Sequence, residues 1–227
     1  MFSSFNSTGS SIISKPNTIP SPTNLAGYYA LAYSAYQTPN YNPTTKVWTD
    51  ASPNARNIAF TTGSPTIVSS VGANGTSGTF NVVDSVGDAT FPFLTSQKNN
   101  FAFFAVARHK STLGNSVFAN VGTQNLIGFW QAWSGICQGG GQFIDAVDHY
   151  STNFFEMTYS NTGFRLNGVF KGLSGVYTLM AGFSIFNRGI AKPWQIAEII
   201  IFDKTLPASD ITNIEGMLRT KYGITTV

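Results

Sequence analysis

Few residues in this chain have the type and spacing to do chemistry. Of its ten acidic side chains only three are glutamates, Glu156, Glu198 and Glu215. Hydrolysis of a glycosidic bond normally needs a carboxylic acid and a second carboxylate on either side of the scissile bond. Glu156 stands alone on its predicted strand, and Glu198 and Glu215 fall on a closing strand and a terminal helix. No catalytic residue is therefore expected, and the chain is read as a non-enzyme. Cys137 is the single cysteine, which rules out an intrachain disulfide. As a nucleophile it would need a base close by. The two histidines, His109 and His149, lie in no recognised cysteine-enzyme motif, and Cys137 is read as a small buried side chain.

Two segments hold residues suited to a ligand. Trp130 and Trp133 lie in GFWQAWSGICQGGGQF, with Gln138 and Gln142 following. Sugar sites combine exposed aromatic rings with polar side chains, so these four are the candidate ligand-binding residues. A spacing of three does not put both tryptophans on one face of a regular strand. One would be core and the other exposed, or a bulge would bring them together, or both would be packing residues. Asp145 and Asp148 in FIDAVDHY are the candidate metal ligands, for calcium if any ion binds, since calcium takes six to eight oxygens. Asp84 and Asp88 in VVDSVGDATF form a second pair. The competing reading of both pairs is an Asx turn, the commoner role of aspartate beside glycine. Asp50 and Asn54 in WTDASPN are read as a turn-stabilising pair under Trp48. No cofactor other than this one possible ion is expected.

These residues must be positioned by strands. FAFFAVAR, residues 101–108, is a dense strand, and 117–121 and 126–132 are its predicted successors. Residues 154–159 alternate weakly before a turn at Asn161 to Gly163. Asn167-Gly168 is the strongest short hairpin signal in the chain. Residues 176–186 form another strand candidate. A β-branched run from Ile196 to Phe202 leads through Leu206 and Pro207 into a helix starting near Ala208. Asp210 suits its first turn, Arg219 and Lys221 its last, and Gly223 a left-handed end. Ile211, Ile214, Leu218 and Tyr222 share one face. Many strands and one convincing helix predict an all-β, antiparallel two-sheet sandwich with a short C-terminal helix.

The terminal block, from Ile196-Ala-Glu198 through Asp203, Leu206, Asp210, Ile211, Ile214 and Glu215 to Lys221-Tyr-Gly223, resembles the end of laminin-G-like domains of the concanavalin A-like jelly-roll superfamily. VWTDASPNARNIAF, residues 47–60, is similar to that family's early stretch, and FRLNGVFKG, residues 164–172, to its late hairpin. The resemblance covers roughly residues 25–227 and implies the fold far more firmly than a function. It also implies structural roles for Glu198 and Glu215 and a possible calcium ion at the rim. Glycoside hydrolases of the laminarinase type on this fold carry E-x-D-x-x-E on one strand, and none of the three glutamates begins that motif.

Composition narrows the class further. Phe at 19, Tyr at 9 and Trp at 4 furnish a bulky core in 227 residues. Charged residues are only 10% of the chain, against about 25% in a typical soluble domain. Ser, Thr, Asn, Gln and Gly must cover the surface, a texture common in adhesins, secreted proteins and capsid proteins. The net charge of +3 is scattered, with Arg108, His109 and Lys110 the tightest cluster, read as a solvated turn. Nucleic acid is not an expected partner. No stretch approaches ~18 consecutive apolar residues, so no membrane span is expected. Residues 1–24, with Pro16, Pro20 and Pro22, show no signal-peptide pattern and are read as an extended or flexible arm. Ile12, Ile13 and Ile19 would anchor it on a neighbouring subunit. The expected function is a non-catalytic structural or binding component of a virus or phage particle: a minor capsid, vertex, spike or fibre protein located in the virion. Its partners would be other structural subunits and surface glycans. The alternatives are a lectin-like adhesion module at the cell surface or outside the cell, and a glycoside hydrolase of the same fold.

Overall fold

The computed structural model describes residues 33–52, 54–71, 79–85, 89–90, 99–109, 118–120, 126–127, 129–130, 135–138, 142–145, 154–172, 183–185 and 194–225. The first strands are β1 (Tyr33–Gln37), β2 (Tyr41–Asn42), β3 (Val47–Trp48), β4 (Ile58–Ala59), β5 (Thr66–Val71) and β6 (Thr79–Ser85). Then come β7 (Ala89–Thr90), β8 (Ala102–His109), β9 (Phe118–Asn120), β10 (Leu126–Ile127), β11 (Phe129–Trp130) and β12 (Gly135–Gln138). The last are β13 (Gln142–Asp145), β14 (Phe155–Ser160), β15 (Gly163–Leu166), β16 (Val169–Gly172), β17 (Phe183–Ile185) and β18 (Trp194–Phe202), followed by the helix α1 (Ala208–Tyr222). The expected arm, residues 1–24 with Ile12, Ile13 and Ile19, lies outside the described residues, as does its boundary with the domain.

The molecule is an antiparallel β-sandwich with a C-terminal helix, as the sequence predicts. One layer is an eight-stranded sheet ordered β16-β15-β14-β8-β18-β6-β5, with β1 also paired to β18. β18 is its spine, and all nine of its residues are buried. β8 runs along it from Trp194 to Phe202, while its other side is shared by β6 at Trp194–Ile196 and β1 at Glu198–Phe202. The opposing layer is built from shorter sheets, β10-β9-β17-β7 and β2-β3-β4. Tyr41, Trp48, Ile58 and Ile185 from those pieces join Phe103, Met157, Ile199 and Ile201 in one core. Of the strand expected at 126–132, Leu126–Ile127 and Phe129–Trp130 are described, and they pair in different sheets, β10 with β9 and β11 with β12. Of the strand expected at 176–186, Phe183–Ile185 is described.

The other face of the large sheet is also apolar and is covered by α1. Phe104, Val106, Phe154, Ile200 and Phe202 pack there with Ile211, Ile214, Met217, Leu218 and Tyr222. Phe80 lies edge-on to both Phe154 and Tyr222, each at 4.9 Å between ring centroids. The helix begins after Pro207 and ends at Gly223, whose φ of 64° is the left-handed conformation that glycine adopts without steric cost. The hairpin signal is equally literal: Asn167 and Gly168 have φ of 50° and 80°, both positive as a type I′ turn requires.

The spine strand β18 carries one irregularity. Ile196 pairs with Ala107 and Glu198 with Val106, so Ala197 is an extra residue with no partner on β8. Such a bulge puts two consecutive residues on the same side of the sheet. Ala197 packs in the helix-side core, and Glu198 bonds to residues of α1. Leu218 is completely buried beneath the helix. Leu218→Ala is expected to cost about 2–5 kcal/mol by leaving a cavity that the sheet cannot close, measured by chemical denaturation. A loss below ~0.5 kcal/mol would show that α1 is not docked as described.

Candidate functional site

The residues proposed as ligand contacts fall largely in one small sheet, β11-β12-β13. Its register places Trp130 opposite Gly135, Gln138 opposite Gln142, and Asp145 opposite Ile136. The pairing of β12 with β13 shifts between Ile136 and Cys137, so the sheet is irregular at its centre. Trp130, Gln138 and Gln142 are thus brought into a single sheet although the tryptophan is separated from the second glutamine by glycine-rich chain. Trp133 and Asp148 lie outside the described residues. β13 lies against β16, which joins this small sheet to the edge of the large one.

The three glutamates end up buried. Each is 0% exposed, and each lies between the large sheet and α1 or its neighbouring hairpin. The bulge in β18 turns Glu198 under the helix, where its Oε2 accepts from Lys221 Nζ and Tyr222 Oη, both at 2.6 Å. Its Oε1 accepts from Gln37 Nε2 at 3.0 Å, so one carboxylate ties β1, β18 and α1 together. Burial first, and then the Glu198 carboxylate, push the Tyr222 hydroxyl well above its usual range, which keeps it a donor.

Glu215, on α1, accepts from Arg165 Nε at 2.7 Å through Oε1, while its Oε2 has no hydrogen-bond partner. Glu156, on β14, accepts from Thr158 Oγ1 at 2.6 Å and from the amide of Gly168 at 3.1 Å. Asn167 fixes the same strand, since its Oδ1 accepts from the Glu156 amide at 2.9 Å and its own amide donates to the Glu156 carbonyl at 2.8 Å. Burial and the Glu215 carboxylate push Glu156 up to about 8, against the hydrogen bonds from Thr158 and Gly168 and the charge of Arg219. A second negative charge has no place in this pocket, so near neutrality the Glu156 carboxyl keeps its proton. The arrangement fixes structure.

Asp50 and Asp84 have structural partners too. Asp50 is buried and its carboxylate accepts from the amides of Ala35, Ser52 and Arg56 and from the Ser52 hydroxyl, at 2.8–3.0 Å. Asp50 thus holds the turn expected beneath Trp48. The side chain that reaches Asp50's backbone is Asn57, whose Oδ1 accepts from the Asp50 amide at 3.0 Å, while Asn54 donates its amide to Ser52. Asp84 accepts from Gln195 Nε2 at 2.7 Å, and Gln195 in turn accepts from Arg108 Nε at 2.7 Å, forming one polar row across β6, β18 and β8. Arg108, expected in a solvated turn, is instead half-buried with its guanidinium 4.6 Å over the Phe154 ring. Asp88 lies outside the described residues. Among the described residues, no three of His, Cys, Asp and Glu gather as metal ligands. An open groove of about 580 Å³ is lined by Pro39, Asn40, Asn42, Pro43 and Thr49 above the buried Tyr41.

No protein-family model matches the sequence, and a comparison with curated proteins gives no match. Solved structures share the fold. Domain 4 of AbnA, a GH43 extracellular arabinanase from Geobacillus stearothermophilus determined with arabinotriose, is 18% identical with a TM-score of 0.53. That likeness covers 80% of this chain and 97% of the arabinanase domain. A Trypanosoma rangeli sialidase mutant displaying trans-sialidase activity is 10% identical with a TM-score of 0.51 over 86% of this chain, which spans only 33% of the sialidase. The binding domain of botulinum neurotoxin serotype G is 13% identical with a TM-score of 0.47, over 83% of this chain and 51% of that one. At these identities the first two likenesses show a shared β-sandwich fold and no more.

Glu156 gives a pH signature. Its pKa rises on folding from 4.5 to about 8, so folding takes up a proton between those values. The stabilisation is complete below the lower value and is lost as pH rises through the upper. The melting temperature is expected to fall between pH 6 and 9, and Glu156→Gln, which mimics the protonated carboxyl, should flatten that fall and be more stable than the parent at pH 9. Parallel profiles for the two proteins would show that Glu156 is ionised throughout.

Proposed function

We propose that this chain is a non-catalytic binding module that takes glycans at its β11–β13 sheet and works within a larger assembly. The observation that carries the reading is the register that puts Trp130 and the facing pair Gln138 and Gln142 on adjacent strands. Sugar sites usually combine an aromatic ring, which covers the apolar face, with amides that meet hydroxyls. The fold's likeness to almost the whole of an arabinanase domain determined with arabinotriose supports the choice of ligand class. Burial of all three glutamates supports the absence of catalysis, because a hydrolytic pair would then have to be made from aspartates alone.

The assembly part of the reading rests on composition. With charged residues at 10%, copies repel one another weakly. A virus or phage particle is the assembly this texture suits best, with residues 1–24 as the connector between subunits. Asp145 and Asp148 remain the place for a calcium ion within this proposal.

Titration calorimetry with four trisaccharides, arabinotriose, xylotriose, cellotriose and sialyllactose, tests the ligand class. At least one should bind, Trp130→Ala should weaken it by about tenfold or more, and none should be cleaved. Failure of all four, or turnover of any, would overturn the reading. Removal of residues 1–24 should leave the melting temperature nearly unchanged and abolish assembly. Normal assembly of the truncated protein would rule the arm out as connector.

A further inference from the structure

Among the described residues two large apolar side chains are exposed, Ile67 at 38% and Phe170 at 48%, and Phe170 is the aromatic one. It sits on β16, an edge strand of the large sheet. Its position is set by the two-residue Asn167-Gly168 turn, which pairs Leu166 with Val169 and Arg165 with Phe170; a bulge follows, where Phe164 pairs with Gly172 and Lys171 is the extra residue. The hairpin register thus makes Phe170 the direct cross-strand partner of Arg165. Side chains so paired share a face, with their Cβ atoms about 4.5–5.5 Å apart.

Arg165 is held still. Its Nε donates to Glu215 Oε1 at 2.7 Å and its Nη2 to the Gly168 carbonyl at 2.8 Å. Glu215 is wholly buried, so the guanidinium is anchored from below while its side chain stays 29% exposed. A guanidinium has five N–H donors, and these two bonds use two of them. An exposed ring next to a fixed set of spare donors is a small preorganised surface whose ordering cost was met on folding. The strand carrying Phe170 also abuts β13, the strand of Gln142.

We propose that Phe170 and Arg165 form a subsite for one sugar ring of a glycan. The C–H face of the ring stacks on Phe170, and its hydroxyls accept hydrogen bonds from the remaining N–H groups of Arg165. The inference rests on the glycan-binding reading above and extends that site from β11–β13 onto the neighbouring edge strand.

The test titrates the parent protein, Phe170→Ala and Phe170→Trp with whichever of the four trisaccharides binds the parent most tightly. Phe170→Ala should bind roughly three- to tenfold more weakly, the scale of one aromatic contact. Its melting temperature should stay put, since the ring is half in water, and Phe170→Trp should restore binding. Equal affinity of Phe170→Ala and the parent would overturn the subsite while leaving the glycan reading intact. A loss that Phe170→Trp does not restore would overturn the stacking geometry. If the parent binds none of the four, the glycan reading fails and the subsite fails with it.

Discussion

Three carboxylates are buried beneath one helix, and the rest of the structure is arranged around that constraint. An isolated ionised carboxylate in an apolar interior costs several kcal/mol, so each must be paired, hydrogen-bonded or neutralised. Glu198 has three donors, from β1 and α1. Glu215 has the Arg165 guanidinium. Glu156 keeps a proton. These solutions depend on one another: the Asn167-Gly168 turn supplies an amide to Glu156 and a carbonyl to Arg165, and Arg165 holds Glu215. The turn also packs closely against the helix, for a Cβ on Gly168 would lie 2.8 Å from Arg219 Cζ. Hairpin, helix and central strands are therefore one polar unit set into an apolar interface.

The fold is legible where local signals coincide with tertiary needs. The terminal strand and helix, the Asn167-Gly168 hairpin and the strand at β8 are visible because period, turn chemistry and helix-end residues all agree there. The bulge at Ala197 is not legible, since WQIAEIIIF reads as a continuous apolar strand with a glutamate inside it. That glutamate is itself the available signal: a charge within a β-branched run fits only if it faces partners. The split of 126–132 is hidden for another reason, namely that its halves pair in different sheets, and pairing is a non-local property. In the candidate site, Trp130, Gln138 and Gln142 stand out by type alone, and only the register shows them on adjacent strands. Phe170 and Arg165 are made partners by the Asn167-Gly168 turn, but the exposure of that ring and the anchoring of that guanidinium by Glu215 depend on tertiary packing.

A chain with this little charge spends much of what it has inside. Glu156, Glu198, Glu215, Asp50 and their partners stabilise turns and the helix interface, and the uncharged surface is left to Ser, Thr, Asn, Gln and Gly. Such a surface meets other molecules through hydroxyl and amide groups, shape and the occasional aromatic ring, with little long-range steering. Recognition of a neutral polyol, or of a second protein of the same texture, asks for just those means.

The position of β18 has a consequence for biosynthesis. It is the last of the described strands in the chain, yet it lies at the middle of the large sheet, between β8 on one side and β1 and β6 on the other. The bond from Gln37 to Glu198 spans 161 residues, which a ribosome takes roughly ten to thirty seconds to add. Throughout that interval β1, β6 and β8 have no central strand to pair with, and the aromatic faces of two cores stay open. Productive folding waits for the final segment to emerge, and the newborn chain is vulnerable to aggregation until then.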